Sequence, residues 1–140
     1  MTVSGIIEAQ AELIDEFRLF DNWLDRYEYL IDLGRKLPDF PAESKIEAYR
    51  LHGCQSQVWL TAEEADGLLT FQAISDSAIV SGLIAVLMRI YNHRSAAEII
   101  STQPDFIDAI GLHEHLSPTR SNGLHAMIDA IMGHANRCAG

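Results

Sequence analysis

The spacing of apolar residues predicts two helices at the start of the chain. Apolar side chains recur at helical intervals over Ile6–Phe20 and again from Trp23 onward, which is the pattern of helices that bury one face. Between them, Asp21-Asn22 offers side-chain acceptors for the first free N–H groups of the second helix. Gly34 and Pro38 mark the end of that helix, and the proline favours an extended connection after it.

A change to strand-like patterning follows between residues 46 and 71. Val58–Thr61 is rich in β-forming side chains, and Leu68–Phe71 comes after a turn at Ala65-Asp66-Gly67. These two runs predict a β-hairpin. A further strand over Ala48–Leu51 is expected to precede them, so the sequence predicts a three-stranded antiparallel meander.

The rest of the chain has a helical pattern. Ser75-Asp76-Ser77 is a helix-start signal, and the helix expected from Ser77 to about Tyr91 carries apolar residues on more than one stripe. We therefore expect it to be the central and most buried helix. Short helical turns are expected over 95–101 and 105–115, and a final helix is expected after Gly123.

The order of these elements defines the expected fold. Helices, a small sheet and further helices predict an α+β domain, in which helices pack on one face of an antiparallel sheet of about three strands. With 140 residues and no internal repeat or linker, the chain is expected to form a single domain over 1–140. The last residues, 134–140, are small and polar, and we expect a loose tail there.

The charge of the chain argues against two classes of partner. It has 20 acidic and 10 basic residues and a net charge of −10, so nucleic-acid backbones and anionic lipid surfaces would repel it. The longest apolar stretch, 78–90, is interrupted by polar residues and is too short to cross a bilayer. The N-terminus lacks the basic start of a secretory signal, and two cysteines make no disulfide framework. We therefore expect a cytoplasmic protein without nucleic-acid or membrane partners.

The segment Leu51–Trp59 contains the candidate reactive group, Cys54. A structural cysteine is usually buried among aliphatic side chains, where its thiol is inert. Cys54 instead follows Gly53, which lets the backbone turn, and it lies where two strand-like runs must reverse direction. The side chains that follow can stabilise a thiolate or a persulfide; they are Gln55, Ser56 and Gln57.

Three other residues are candidates for support of this thiol or for partner contact. His52 lies two residues before Cys54, and an imidazolium on the same face would favour the thiolate, whereas a surface histidine is the alternative. Asp76 opens the central helix, where an N-cap is its ordinary role. Arg120 lies in the expected loop 117–123, where it can stay solvated or dock a partner carboxylate.

Other chemistries stay open for Cys54. Metal sites need three or four donors at set spacings, and His113 and His115 would fall on different sides of a helix. Two cysteines leave the coordination of an iron–sulfur cluster incomplete, and spacing alone does not identify the histidine base of a cysteine hydrolase. An iron–sulfur scaffold, an interaction domain with an inert thiol and a cysteine hydrolase are the alternatives to a sulfur carrier.

Several segments in the same order resemble the SufE family of sulfur acceptors. They are Tyr27–Pro38, Gly53–Trp59, Ser75–Ala85 and Leu116–Leu124. The resemblance runs from about Trp23 to the end of the last helix, and residues 1–22 correspond to a first helix that varies within the family. The polar run 55–57 favours the SufE type over related acceptors that serve a second desulfurase. His52 and Cys138 match no family motif.

This resemblance implies a function. SufE-like proteins take sulfur from the persulfide of a SufS-type cysteine desulfurase, stimulate that enzyme and pass the sulfur to a SufBCD-type scaffold for iron–sulfur cluster assembly. The resemblance implies that Cys54 is the acceptor and that Asp76 and Arg120 lie near the desulfurase-facing surface.

The resemblance also implies a fold shared with IscU-like scaffolds. The protein would be a sulfur-transfer accessory rather than a free-standing catalyst, without a cofactor of its own, since the pyridoxal phosphate belongs to the desulfurase. An IscU-like scaffold and a plain interaction domain remain the alternatives, and the sequence leaves monomer and homodimer open.

Overall fold

The computed structural model describes residues 5–51 and 57–139, which form helices around a two-stranded sheet. The helices and strands are, in chain order, α1 (Ile6–Phe17), α2 (Trp23–Arg35), β1 (Val58–Ala65), β2 (Leu68–Ser75), α3 (Ala78–Tyr91), α4 (Ala96–Ser101), α5 (Phe106–Ile110), α6 (Leu112–His115) and α7 (Pro118–Ala139). Two short 3₁₀ turns, Ala42–Ser44 and Glu47–Tyr49, lie between α2 and β1.

Helix α1 is fixed to the rest of the fold by its first turn and its inner face. The carboxylate of Glu98 accepts the Ile6 N–H at 2.8 Å, which satisfies one free donor of the helix start. The buried side chain of Gln10 donates to the Gln103 carbonyl at 3.0 Å and accepts the Phe106 N–H at 2.8 Å. These contacts join α1 to residues nearly a hundred positions later in the chain.

The start of α2 agrees with the sequence, whereas the end of α1 does not. The side chain of Asn22 accepts the Asp25 N–H at 2.9 Å, which confirms the predicted N-cap. Helix α1 ends at Phe17, short of the expected Phe20. The N–H groups of Leu19 and Phe20 turn back to carbonyls three residues earlier, so the helix tightens and stops.

Helices α2 and α3 approach most closely where each carries a glycine. A Cβ atom at Gly34 would lie 2.7 Å from the Gly82 nitrogen, and a Cβ atom at Gly82 would overlap the Leu30 carbonyl. A contact this tight between two backbones excludes any side chain. The glycines therefore set the distance between the two helices.

The sheet is an antiparallel hairpin whose two faces differ. Its register runs from Val58 opposite Ser75 to Ala65 opposite Leu68. The connecting turn has positive φ angles at Asp66 (55°) and Gly67 (80°), as a tight hairpin turn requires. One face is buried against the helices, with Val58, Leu60, Leu69, Phe71 and Ala73 in the core. The predicted α+β architecture, with helices on one face of the sheet, is confirmed.

The predicted third strand is wrong. Residues Glu47–Tyr49 form a 3₁₀ turn, and only Arg50 bridges the sheet, opposite Trp59. The N–H groups of Tyr49 and Arg50 donate to carbonyls three residues earlier, at 3.0 and 3.2 Å. Because these bonds occupy the backbone, pairing of the described residues 42–51 with β1 is confined to Arg50 and Leu51.

Helix α3 is the central helix, as its pattern predicted. It buries eight residues against the sheet and the other helices: Val80, Gly82, Leu83, Ile84, Val86, Leu87, Ile90 and Tyr91. Its N-cap is Ser77, whose hydroxyl accepts the Val80 N–H at 3.3 Å, so the N-cap role expected for Asp76 is wrong.

Helix α7 is longer than the sequence suggested at both ends. It begins at Pro118, whereas the sequence predicted a loop up to Gly123 and a helix only after it. Proline suits the first helical turn because its missing N–H is not needed there. The helix continues to Ala139 with Ala135 fully buried, so the segment expected as a loose tail over 134–140 is helical up to Ala139. None of the helices in the described chain is long and apolar enough to cross a membrane.

Candidate functional site

The candidate acceptor Cys54 lies outside the described residues, together with His52, Gly53, Gln55 and Ser56. We call residues 52–56 the acceptor segment. The structure describes the residues on both sides of it, and these determine where the segment joins the fold.

The start of the acceptor segment is fixed to β1. The Leu51 N–H donates to the Val58 carbonyl at 2.9 Å, and Arg50 is paired with Trp59. Val58 itself is fully buried in the core. The residue before the segment is therefore hydrogen-bonded to a residue that cannot move without disturbing the core.

The end of the acceptor segment is held by Asp76. The Gln57 N–H donates to the Asp76 carboxylate at 3.1 Å, and the Asp76 N–H donates back to the Gln57 carbonyl at 3.4 Å. Two of the predicted site residues, Gln57 and Asp76, are thus brought together, although 19 positions separate them. We call this pair the 57/76 clasp.

The clasp lies at the start of α3, whose first turn is held separately. The Ser77 N–H donates to the Ser75 hydroxyl at 3.2 Å, and the Ser81 hydroxyl donates to the Ser75 carbonyl at 3.4 Å. Because Ser77 caps the helix, the Asp76 carboxylate is free for Gln57. A negative charge directly before a helix start is also favoured by the helix dipole.

A groove runs beside the clasp, between the connection after α2 and the outer edge of β2. Its lining includes Leu37, Pro38, Asp39, Phe40, Ala73 and Ser75. Farther along this edge, the Asn92 side chain accepts the Phe71 N–H at 2.6 Å and donates to the Phe71 carbonyl at 3.2 Å. Asn92 therefore takes the place of a neighbouring strand there, and it also lines one end of the groove.

The strongest charge cluster of the described chain lies away from the clasp. Arg89 pairs with Glu16, whose carboxylate also accepts the Tyr29 hydroxyl. The hydrogen bond from Arg89 lowers the pKa of Glu16, and burial, with the bond to Glu16, raises the pKa of Tyr29. Arg89 lies about 17 Å along α3 from Ala78, at 1.5 Å per residue. This cluster joins α1, α2 and α3 and is distant from the 57/76 clasp.

The other predicted site residues are not brought to the clasp by the described structure. The backbone of Arg120 lies in the first turn of α7, not in a loop, and its side chain lies outside the described part. Cys138 is exposed near the end of α7. Within residues 5–51 and 57–139, no group of three or more His, Cys, Asp or Glu residues could hold a metal ion.

Sequence reasoning missed the way the acceptor segment is anchored. Ser75-Asp76-Ser77 offers three side chains that can each cap a helix, and the pattern does not decide which one does so. A signal for the other anchor was present, since Leu51 and Val58 are apolar residues on either side of a short polar run.

Comparisons with known proteins add to this geometry. A family model described as "SufE: Fe-S metabolism associated domain" matches residues 11–135. An uncharacterized SufE-like protein of Rhizobium meliloti is 43% identical over 129 residues, which cover 89% of this chain and 92% of that protein. An uncharacterized SufE-like protein of Rhizobium etli is 37% identical over 129 residues, with 89% and 87% covered.

The fold is shared with a solved structure as well. The solution structure of a hypothetical protein from Thermus thermophilus matches with a TM-score of 0.77 at 20% identity, over 94% of this chain and 96% of that one. The family match spans nearly the whole chain and includes both anchors of the acceptor segment. The chain belongs to the SufE family, a family associated with iron–sulfur metabolism.

Proposed function

We propose that this protein carries sulfur for iron–sulfur cluster assembly by forming a persulfide on Cys54. The donor is a SufS-type cysteine desulfurase, which the protein also stimulates, and the recipient is a SufBCD-type scaffold in the cytoplasm. The observation that carries this proposal is the double anchoring of the acceptor segment. Leu51 is bonded to Val58 and Gln57 to Asp76, so Cys54 is attached at two fixed points of a rigid domain.

The transfer step balances without an added oxidant or reductant. The Cys54 thiolate attacks the outer sulfur of the persulfide on the donor enzyme, as in thiol–disulfide exchange. A new S–S bond forms on Cys54 while the S–S bond of the donor breaks, and the donor cysteine leaves as a thiolate. The sulfane sulfur therefore moves with its oxidation state unchanged.

The anchors serve this chemistry by limiting where the thiol can go. An exchange of this kind needs a nearly linear approach of three sulfur atoms, and orientation of the reactants contributes strongly to its rate. We assign Asp76 as a positioning residue, because its carboxylate holds the backbone of Gln57. His52, Gly53, Gln55, Ser56 and Arg120 complete the proposed set of supporting or partner-contacting residues.

The protein itself supplies a thiol and no resident cofactor in this proposal. The pyridoxal phosphate belongs to the desulfurase, where it releases sulfur from cysteine. The protein then acts as an accessory to that enzyme.

The proposal is tested by incubating the protein with a cysteine desulfurase from the same genome and with cysteine, followed by mass spectrometry of peptides under non-reducing conditions. We expect Cys54 to gain the mass of one sulfur atom, and Cys54→Ser to abolish both this gain and the stimulation of the desulfurase. The matched control is Cys138→Ser, which removes an exposed thiol and leaves both intact. Equal stimulation by Cys54→Ser and wild type would refute the proposal.

A further inference from the structure

Two large apolar side chains are exposed just before the acceptor segment. Ile46 is 46% exposed and Tyr49 is 43% exposed. The Tyr49 N–H donates to the Ile46 carbonyl at 3.0 Å, which closes a single 3₁₀ turn between these two residues. The two exposed residues therefore lie at the two ends of one closed turn, and we call them the 46/49 patch.

The patch is held in a fixed relation to the base of the acceptor segment. The Glu47–Tyr49 turn packs beside β1, and the next residues are joined to β1 by the Arg50–Trp59 bridge and the bond from Leu51. The acceptor segment begins three residues after Tyr49, so at most about 11 Å of chain separates Tyr49 from its start. A protein bound to the patch would also lie beside that segment.

The charge of this region differs from that of the rest of the surface. The connection 36–51 carries three basic and three acidic residues, so the net charge of −10 belongs to the rest of the chain. Within the described part of the chain, Lys45 and Arg50 form no ion pair, although Glu43 and Glu47 lie near them in sequence. Approach of an acidic partner is therefore opposed less at this connection than over the chain as a whole.

From these observations we propose that the 46/49 patch docks the sulfur-donating desulfurase, which seats Tyr49 and Ile46 in an apolar recess rimmed by carboxylates that pair with Lys45 and Arg50. This inference rests on the proposed function, because it assigns the surface on which the donor is recognised. A second copy of the chain is a poorer occupant, since it would bring another net charge of −10 and be repelled.

The size of the patch fixes its role in the interface. A stable protein interface buries about 800 Å² on each partner, which is far more than two side chains supply. Within such an area a few aromatic and apolar anchors provide most of the affinity. Tyr49 and Ile46 are the anchors in this proposal, and the surface around them provides shape complementarity to the partner but little of the affinity.

Other exposed apolar residues provide matched controls. Leu24 is 70% exposed near the start of α2, and Ile100 is 40% exposed on α4. Both are large and accessible like Ile46, but neither belongs to the connection that leads into the acceptor segment. Their replacement by serine removes a similar apolar area from a different part of the surface.

The experiment titrates wild type, Tyr49→Ser, Ile46→Ser, Leu24→Ser and Ile100→Ser into a cysteine desulfurase with excess cysteine. We expect Tyr49→Ser to raise the concentration that gives half-maximal stimulation by about tenfold, with the maximal stimulation unchanged. Ile46→Ser should have a smaller effect in the same direction, and the two controls should stay within about twofold of wild type. Lys45→Glu should also weaken stimulation, with a loss that shrinks as salt is added.

The outcomes separate this inference from the proposed function. If wild type gains sulfur on Cys54 but Tyr49→Ser and Ile46→Ser behave like the controls, the docking surface is wrong and the proposed function stands. If wild type gains no sulfur, both are overturned. The docking surface is also wrong if Tyr49→Ser converts a dimer of the free protein into a monomer, or if it lowers maximal stimulation alone. Thermal unfolding followed by circular dichroism checks that each variant is folded.

Discussion

Two regions meet at the start of α3, and they are built in opposite ways. At the crossing of α2 and α3, Gly34 and Gly82 bring two backbones so close that no side chain fits between them. On either side of the acceptor segment, the chain joins the fold through hydrogen bonds from the N–H groups of Leu51 and Gln57, and the bond from Gln57 is exposed. The close-packed backbones at the helix crossing cannot shift relative to each other without losing contacts, because no space is left between them. Exposed hydrogen bonds can be exchanged for bonds to water at little cost.

This difference suggests how a rigid domain can present a reacting group. The crossing and the core beneath β1 fix the positions of the two anchors. The 57/76 clasp, which is exposed, can open when a partner binds without loss of core packing, whereas Leu51 is packed against the core. Substitutions in the first region should therefore change stability, and substitutions in the second should change sulfur transfer.

The largest expected effect tests the crossing directly. Gly82→Ala would place a methyl group against the Leu30 carbonyl, so α2 and α3 must separate along their length. We expect the free energy of unfolding to fall by about 3 kcal/mol, as measured by urea denaturation followed by circular dichroism.

The control for this substitution is Gly133→Ala in α7. A Cβ atom at Gly133 has its nearest neighbour, the end of the Arg137 side chain, at 3.7 Å. Alanine should therefore fit and raise stability by up to about 1 kcal/mol through its greater helix propensity. Equal losses for both variants would show that the crossing is not as tight as described.

The next effect concerns the buried glutamine that joins α1 to the later helices. Gln10→Leu leaves the buried Phe106 N–H without its acceptor, and an unsatisfied buried donor costs about 2 kcal/mol. Denaturant unfolding should show this loss, whereas Gln72→Leu, on the exposed side of β2, should stay within about 0.5 kcal/mol of wild type. A smaller loss for Gln10→Leu would mean that α1 is held mainly by its apolar face.

These examples show what the sequence could predict. The core of α3 followed from its apolar spacing, because a helix that is apolar on several sides must be buried. The hairpin followed from an Asp-Gly turn between two β-rich runs. The type and position of these elements therefore follow from local sequence patterns, which a single sequence contains.

Features that depend on distant contacts could not be predicted in this way. Asp76 is shared between two possible partners, its own helix and Gln57, and only the folded arrangement shows that Ser77 takes the helix while Asp76 takes Gln57. The absence of a third strand from the described chain has a different cause, since the N–H groups of Tyr49 and Arg50 bond locally to carbonyls three residues earlier. The bonds of Gln10 span more than ninety positions and leave no periodic signal.

A smaller effect, with a defined pH dependence, is expected at the charge cluster. Glu16→Gln removes the ion pair with Arg89 and should cost about 1 kcal/mol at neutral pH, since the pair is partly exposed. The Arg89 hydrogen bond lowers the pKa of Glu16 in the folded protein, so its stabilisation is complete above the unfolded-state pKa and is lost as pH falls through the folded-state pKa.

The stability difference between wild type and Glu16→Gln should therefore vanish in strongly acidic solution, as followed by unfolding measurements over a pH series. Asp15→Asn is the matched control, because the Asp15–Arg18 pair is 3.6 Å long with side chains 76% and 71% exposed. It should leave stability unchanged at every pH. A difference at Glu16 that persists at low pH would exclude the ion pair as its source.

The smallest effect on stability is expected at the acceptor end, where the effect on function should be clear. Asp76→Ala removes the acceptor of the Gln57 N–H, but both groups are exposed and water can replace the bond, so stability should change by less than about 1 kcal/mol. If the 57/76 clasp positions the acceptor segment, the rate of sulfur transfer to Cys54 should change several-fold at saturating desulfurase.

Asp76→Asn separates charge from hydrogen bonding, because the amide oxygen can still accept the Gln57 N–H. Recovery of the wild-type rate by Asp76→Asn would assign the effect to the hydrogen bond, whereas the same rate as Asp76→Ala would assign it to the negative charge before α3. An unchanged rate in both variants would remove Asp76 from the site and leave Leu51 as the anchor that matters.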